Sequence, residues 1–222
     1  MINDKPTLYL FSGLGVDERA FQSLDLSRYD TVLVRWIKPA KNETIADYAL
    51  RLCEQITGKN PILIGISFGG MIAVEAAKHV TATKVIILAS AKTRSEIPVR
   101  YRLAGKIGLP QIVPAPWIKH PNRLTYRFFG ASLPAEKTLL KQILDDTDPV
   151  FLKWALTAIT GWKNDAVPEN LTHIHGTRDR TLPFRRIVKP IPVKGGGHFM
   201  TISRANEISA LLAEVLQPSD AV

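Results

Sequence analysis

A single cysteine, Cys53, excludes an intrachain disulfide and leaves no thiolate pair to hold a structural metal. No apolar run approaches the roughly 20 residues of a membrane-spanning helix, so no integral membrane segment is expected. The first residues, Met1-Ile2-Asn3-Asp4-Lys5-Pro6, lack a basic stretch followed by an apolar one, and a soluble cytoplasmic protein is the expectation. Acidic residues are in short supply, 20 against 29 basic, for a net charge of +9. Most of this excess is local: residues 92–130 hold Lys92, Arg94, Arg100, Arg102, Lys106, Lys119, Arg123 and Arg127 against Glu96 alone. No aromatic-interleaved RNA motif or helix-turn-helix pattern accompanies these cations, so nucleic acid is not an expected partner and the excess reads as a solvated basic face. Repeats and low-complexity tracts are also absent. A chain of 222 residues, 45% hydrophobic, can bury one sizeable core, and one domain with an insertion is expected.

What is present is alternation. Thr7–Phe11, Thr31–Trp36, Ile62–Ile66, Lys84–Leu88, Leu171–His175 and Ile187–Val193 are short, β-branched and nearly all apolar, which suits strands buried on both faces. Between them, Thr44–Thr57 places Ile45, Tyr48, Leu52 and Ile56 on one helical face, with Asn42 or Thr44 as cap and Gly58 as stop. A last helix carries Phe199, Ile202, Ala205, Ile208, Leu212 and Val215 at spacings of three and four. The pattern predicts an α/β fold: a doubly wound, mostly parallel sheet of about six strands, with its site at the carboxyl ends of the strands. Between Ala91 and Asn164 the alternation stops and prolines and aromatics accumulate. Residues 92–164 are therefore expected to form an inserted helical cap, with helices near Glu136–Leu144 and Pro149–Thr160, and residues 1–91 and 165–222 the core.

Gly65-Ile66-Ser67-Phe68-Gly69 lies between a predicted strand and a predicted helix. Glycines two residues either side of the serine remove the Cβ atoms that would block a sharp turn, and the hydroxyl is presented at a helix N-terminus that favours negative charge. Gly176-Thr177-Arg178-Asp179 and Gly195-Gly196-Gly197-His198 follow late strands, so the order is Ser, Asp, His. With Phe11-Ser12-Gly13-Leu14-Gly15 after the first strand, the chain resembles the α/β-hydrolase superfamily everywhere except its middle. The first predicted strand already leads into the Phe11–Gly15 pattern, so the two antiparallel strands that usually precede it in that superfamily are not expected, and the resemblance is to a minimal version of the fold.

The resemblance implies Ser67 as nucleophile, His198 as its base and Asp179 as the acid that orients the imidazole. It places the oxyanion donors at the backbone N–H groups of Leu14 and Phe68. Ser12 stands where histidine commonly precedes the glycine, so the bracing of that loop differs. Arg178 and Arg180 flank Asp179 and offer a salt bridge as the alternative role. His79 reads as a charge at a helix end, and His120 has no partner in the pattern. His173 and His175 share a strand face, yet no carboxylate or cysteine completes a ligand set, so no metal is expected. Asp17 and Glu18 suit a helix cap. The implied activity is cofactor-free hydrolysis of an ester, thioester or related acyl bond in a small, largely apolar substrate, with Trp117, Phe128, Phe129 and Trp154 of the cap against the acyl group and Arg94 or Arg100 at the rim. A small-molecule receptor, or a C–C hydrolase or lyase, would use the same triad.

Overall fold

The computed structural model describes residues 6–14, 18–112 and 121–217, without the side chains of Leu124 and Phe128. Six strands, β1 (Thr7–Phe11), β2 (Asp30–Leu33), β3 (Ile62–Ile66), β4 (Lys84–Leu88), β5 (Leu171–Gly176) and β6 (Ile191–Val193), form one sheet in the order β2-β1-β3-β4-β5-β6. Every neighbouring pair is parallel. The order reverses between β1 and β3, so the loops at their carboxyl ends diverge and open a crevice there. Ser67 follows β3 and Leu14 follows β1, on the two sides of this crevice.

Alternation along each strand divides the core into two layers. Tyr9, Phe11, Leu63, Val85 and Ile87 face a cluster with helices α1 (Ile45–Leu52) and α2 (Phe68–Ala76). Leu8, Leu10, Ile62, Ile64, Ile66, Ile86 and Leu88 face Phe21, Leu24, Ile208 and Leu212 on the other side. All nine residues of α2 are buried; eight are apolar, and the ninth, Glu75, pairs with Lys78 and accepts from the Trp162 indole. Thr44, rather than Asn42, caps α1, its hydroxyl accepting from the Asp47 N–H at 3.2 Å.

The segment between β4 and β5, expected as an insertion, contributes α3 (Val99–Lys106), α4 (Leu109–Ile112), α5 (Arg123–Phe129), α6 (Pro134–Asp146) and α7 (Pro149–Gly161). Proline opens both α6 and α7, and Asp148 accepts from the Phe151 N–H at 2.7 Å to cap the latter. A small cluster of Ala131, Leu140 and Leu144 belongs to the insertion, whereas Phe151, Ala155 and Trp162 join the main core. The two ends of the insertion are tied at its root: Arg94 N–H donates to the Asn164 carbonyl and the Asn164 amide to the Lys92 carbonyl, each at 2.7 Å.

Four elements differ from the periodicity: β2, expected over Thr31–Trp36 and buried on both faces, is an exposed edge strand ending at Leu33, and α1, expected over Thr44–Thr57, gives way after Leu52 to a 3-10 turn over Cys53–Gln55. The expected strand over Ile187–Val193 shrinks to three residues, because Lys189 takes a positive φ of 46° and Pro190 and Pro192 have no N–H for the ladder. The single final helix is broken at Arg204 (φ −131°, ψ 30°) into α8 (Met200–Ser203) and α9 (Ala205–Val215). The break turns Thr201 and Ile202 toward the crevice while Ile208 and Leu212 stay on the sheet, two directions that one straight helix could not serve.

Candidate active site

Ser67 sits at φ 52°, ψ −118°, between the end of β3 and the first turn of α2. A non-glycine residue held there costs about 1–3 kcal/mol, so the surroundings must enforce it. They do so by contact. The Ser67 N–H donates to the Leu88 carbonyl at 2.9 Å, and the buried Ser90 hydroxyl donates to the Ser67 carbonyl at 2.6 Å. A Cβ on Gly65 would overlap the backbone of Gly69 and Gly70, and one on Gly69 would overlap the carbonyls of Phe11 and Ser12. The loop after β1 is thus braced directly against α2 at Gly69. Gly69→Ala is expected to push these apart, lowering the denaturant midpoint by an amount worth about 1–3 kcal/mol and slowing turnover; a native midpoint would remove the close-approach argument.

Ser67 Oγ lies 2.9 Å from His198 Nε2, and His198 Nδ1 lies 2.8 Å from Asp179 Oδ2. The three come from loops 131 and 19 residues apart, so only the closed sheet brings them together. Asp179 Oδ1 accepts from the backbone N–H groups of Thr181 at 2.8 Å and Leu182 at 2.9 Å. Burial alone would raise this carboxyl, but the attraction of His198 and His175 and the Leu182 N–H outweigh it and hold the group below the ordinary carboxylate range. The side chain faces these partners instead of Arg178 or Arg180. Phe68 opens α2, so its N–H has no partner within the helix, and Leu14 lines the cavity beside Ser67.

That cavity, about 100 Å³, is walled by Leu139, Leu140, Ile143 and Leu144 of α6, Leu152 and Leu156 of α7, and Phe129 with Phe199. No lysine or arginine is among its described lining residues. Of the expected aromatic residues, Phe129 lines it. Trp154 instead stacks on Tyr48 with ring centres 4.3 Å apart, donates to the Glu43 carbonyl at 2.9 Å and faces a separate groove. Trp117 lies outside the described residues, as does the Phe128 side chain. Nor do the expected rim cations reach the cavity: Arg94 is tied by its backbone to Asn164, and Arg100 bonds to the Tyr101 hydroxyl. Six exposed cations, Arg123, Arg127, Lys137, Arg178, Arg180 and Arg204, line a different, open cleft on the far side of Gly197. Lys92 departs from the solvated reading altogether, since it is buried against Glu96.

His173 and His175, set aside in the sequence as a metal pair without partners, are buried behind Asp179. Among the described residues no group of three or more potential ligands forms. The signal available in the sequence was their position, two apart on an apolar strand that ends at the acid. Burial, then the neighbouring His175 and Lys92, pushes His173 down to about 2, and burial lowers His175 as well. Both are neutral in the fold but protonate near 6.5 once unfolded, so their contribution to stability is present above 6.5 and is lost as pH falls below it. Asp179 starts to matter only below its ordinary value of 3.8. Between pH 6.5 and 4, unfolding free energy should therefore drop by about 1.4 kcal/mol per pH unit on account of His173, with His175 adding to the loss in the same direction. Denaturant titrations at pH 7 and pH 5 that coincide would exclude neutral burial.

The family model described as "Alpha/beta hydrolase family" matches residues 8–211. A search of curated proteins returns no match. Among solved structures, the enol-lactonase of Burkholderia xenovorans LB400 superposes with a TM-score of 0.72 at 19% identity, covering 96% of this chain and 92% of that one. MenH of S. aureus gives 0.71 at 15%, covering 95% and 93%. The 2-hydroxy-6-oxo-6-phenylhexa-2,4-dienoate hydrolase of Rhodococcus sp. strain RHA1 gives 0.68 at 16%, covering 96% and 91%. Similarity at this level of identity concerns the fold; the family match extends over most of the sequence, and with it the chain belongs to the alpha/beta hydrolase family.

Proposed function

We propose that this protein is a serine hydrolase that cleaves an ester, thioester or related acyl bond of a small, uncharged, largely apolar substrate. The observation that carries this reading is the unbroken hydrogen-bonded line from Ser67 through His198 to Asp179 at the mouth of an apolar cavity. Ser67 Oγ attacks the acyl carbonyl while His198 Nε2 takes its proton. The N–H groups of Phe68 and Leu14 receive the oxyanion, and collapse expels the alcohol or thiol, which leaves with the proton from His198. Water, deprotonated by the same nitrogen, then attacks the acyl-enzyme and releases the acid. Nothing in this sequence calls for a metal or a cofactor. The insertion acts as a lid, since α6 and α7 supply six of the sixteen residues that line the cavity.

A C–C hydrolase or lyase, or a slow receptor, would use the same groups. A dienoate like that named for the Rhodococcus enzyme carries a carboxylate, and no cation lines the described cavity to meet one. This favours a neutral acyl ester. Fluorophosphonate labelling with intact-mass detection, followed by p-nitrophenyl esters of increasing acyl length, tests the reading. One label per chain and a preference for short neutral acyl groups are expected. One label per chain without measurable turnover of any ester would favour the receptor, and absence of labelling would overturn the reading of Ser67 as nucleophile.

The wall residues make a separate expectation. Leu156→Ala or Phe129→Ala enlarges the cavity and should shift preference toward longer acyl chains, by about 1–3 kcal/mol in the ratio of kcat/KM between neighbouring substrates. Unaltered chain-length preference in both variants would mean that the insertion does not contact the acyl group.

A further inference from the structure

Behind the acid stands a second row of buried polar side chains that the hydrolytic steps do not use. His175 Nε2 lies 2.8 Å from the Leu182 carbonyl oxygen and 3.4 Å from Asp179 Oδ2. Both are acceptors, so this nitrogen carries the proton and His175 Nδ1 is left to accept. His173 Nε2, 3.1 Å away, therefore donates to it, and His173 Nδ1 accepts in turn from Lys92 Nζ at 3.4 Å. Lys92 directs its remaining donors to Glu96 Oε1 at 2.9 Å and to the Val188 carbonyl. Glu96 also accepts from the backbone N–H groups of Lys92 and Val188, each at 2.8 Å. Exposure is 0% for Glu96 and His175, 3% for His173 and 8% for Lys92.

An apolar cluster would fill this space without the desolvation cost of two charges and two imidazoles. What an apolar cluster could not supply is direction: one donor at each link points from the Lys92 ammonium through His173 to His175, whose Nε2–H donates to the carbonyl of Leu182, the residue whose own N–H holds Asp179 Oδ1. Its far end is also specific, for Lys92 and Glu96 stand where the chain leaves β4 for the insertion, at the root closed by Asn164. We propose that Glu96, Lys92, His173 and His175 form a buried positioning chain that keeps Asp179 ionised and aimed at His198, and thereby couples the root of the insertion to the turnover rate. This rests on the reading of Asp179 as the triad acid. Removing the His175 donor leaves Asp179 a stronger base that holds the His198 imidazolium more tightly, so the acidic limb of the kcat/KM profile moves to higher pH. The other ionisable groups at this end are His198 itself, Tyr101, whose hydroxyl donates to the Thr181 carbonyl at 3.0 Å, and Arg100, which bonds to the Tyr101 hydroxyl. All three stay native in the test.

Steady-state kinetics on a neutral ester from pH 5 to 9, with fluorophosphonate titration of competent sites and a thermal melt, are compared for the native chain, His175→Leu, His175→Gln and His173→Leu. Per labelled site, His175→Leu should lose about 10–100-fold in kcat with KM within about twofold, and its acidic limb should rise by about half a pH unit or more. His173→Leu should move both in the same direction by less. His175→Gln keeps a donor near the Nε2 position and should remain within about threefold of native. If His175→Leu does not fold, the other two variants decide. Native kcat per labelled site and a native pH limb in His173→Leu, with only a lowered melting temperature, would reduce the row to a structural strut and overturn the proposal. Ser67→Ala runs alongside: full labelling there would sink the underlying triad reading, whereas a silent Ser67→Ala with unaffected histidine variants rejects the positioning chain alone.

Discussion

Ser67→Ala is expected to abolish fluorophosphonate labelling and to lower ester turnover by about six orders of magnitude, the scale seen when a triad nucleophile is removed. The fold should survive. Alanine meets the same positive φ as serine at this position, so the backbone strain is unchanged, and the Leu88 and Ser90 bonds to the elbow are made by main-chain atoms that the substitution keeps. Only the 2.9 Å contact to His198 Nε2 is lost. Denaturant midpoint, labelling by intact mass and kcat on one ester separate the two effects. Residual labelling at another residue, with activity retained, would move the nucleophile elsewhere.

The second large effect concerns Asp179→Asn, and the backbone dictates its direction. Oδ1 accepts from the N–H groups of Thr181 and Leu182, so an asparagine must keep its oxygen there and turn its NH2 toward His198 Nδ1. Nδ1 would then have to accept, which places the imidazole proton on Nε2, facing Ser67, where it cannot act as a base. The amide also opposes the His175 Nε2–H, donor against donor. A loss of about four orders of magnitude in kcat with little change in KM is expected. Asp179→Ala would instead leave the backbone N–H groups of Thr181 and Leu182 without their acceptor, so it should destabilise the fold more than the asparagine variant does. Near-native kcat in Asp179→Asn would return this carboxylate to a purely structural role.

Much of this architecture is legible in the residues. Strands buried on both faces have to be apolar throughout, and those from Thr7, Ile62, Lys84 and Leu171 announce themselves for that reason. The elbow is equally legible, because Gly65 and Gly69 answer a steric demand that other residues could not meet at those contacts. Less legible were the elements whose fate depends on distant partners. The last helix kept its period across Arg204 yet is broken, since its first turn serves the crevice and the remainder the sheet. Trp154 had the composition of a pocket wall and packs instead against Tyr48 and the Glu43 carbonyl, a choice between two apolar surroundings that spacing does not encode.

Local chemistry, then, determined by itself the parallel α/β sheet, the serine turn and the order of serine, acid and histidine, because each is written in short motifs whose own residues lie within a few positions of one another. Tertiary structure alone decided which cavity Ser67 opens into, that no described cation lines it, and that Lys92, one of eight cations in a basic stretch, is withdrawn from solvent against Glu96 and His173. The reason is physical: a charge or an imidazole has no preferred side in the sequence, and its role follows from what the closed fold sets within about 3 Å of it.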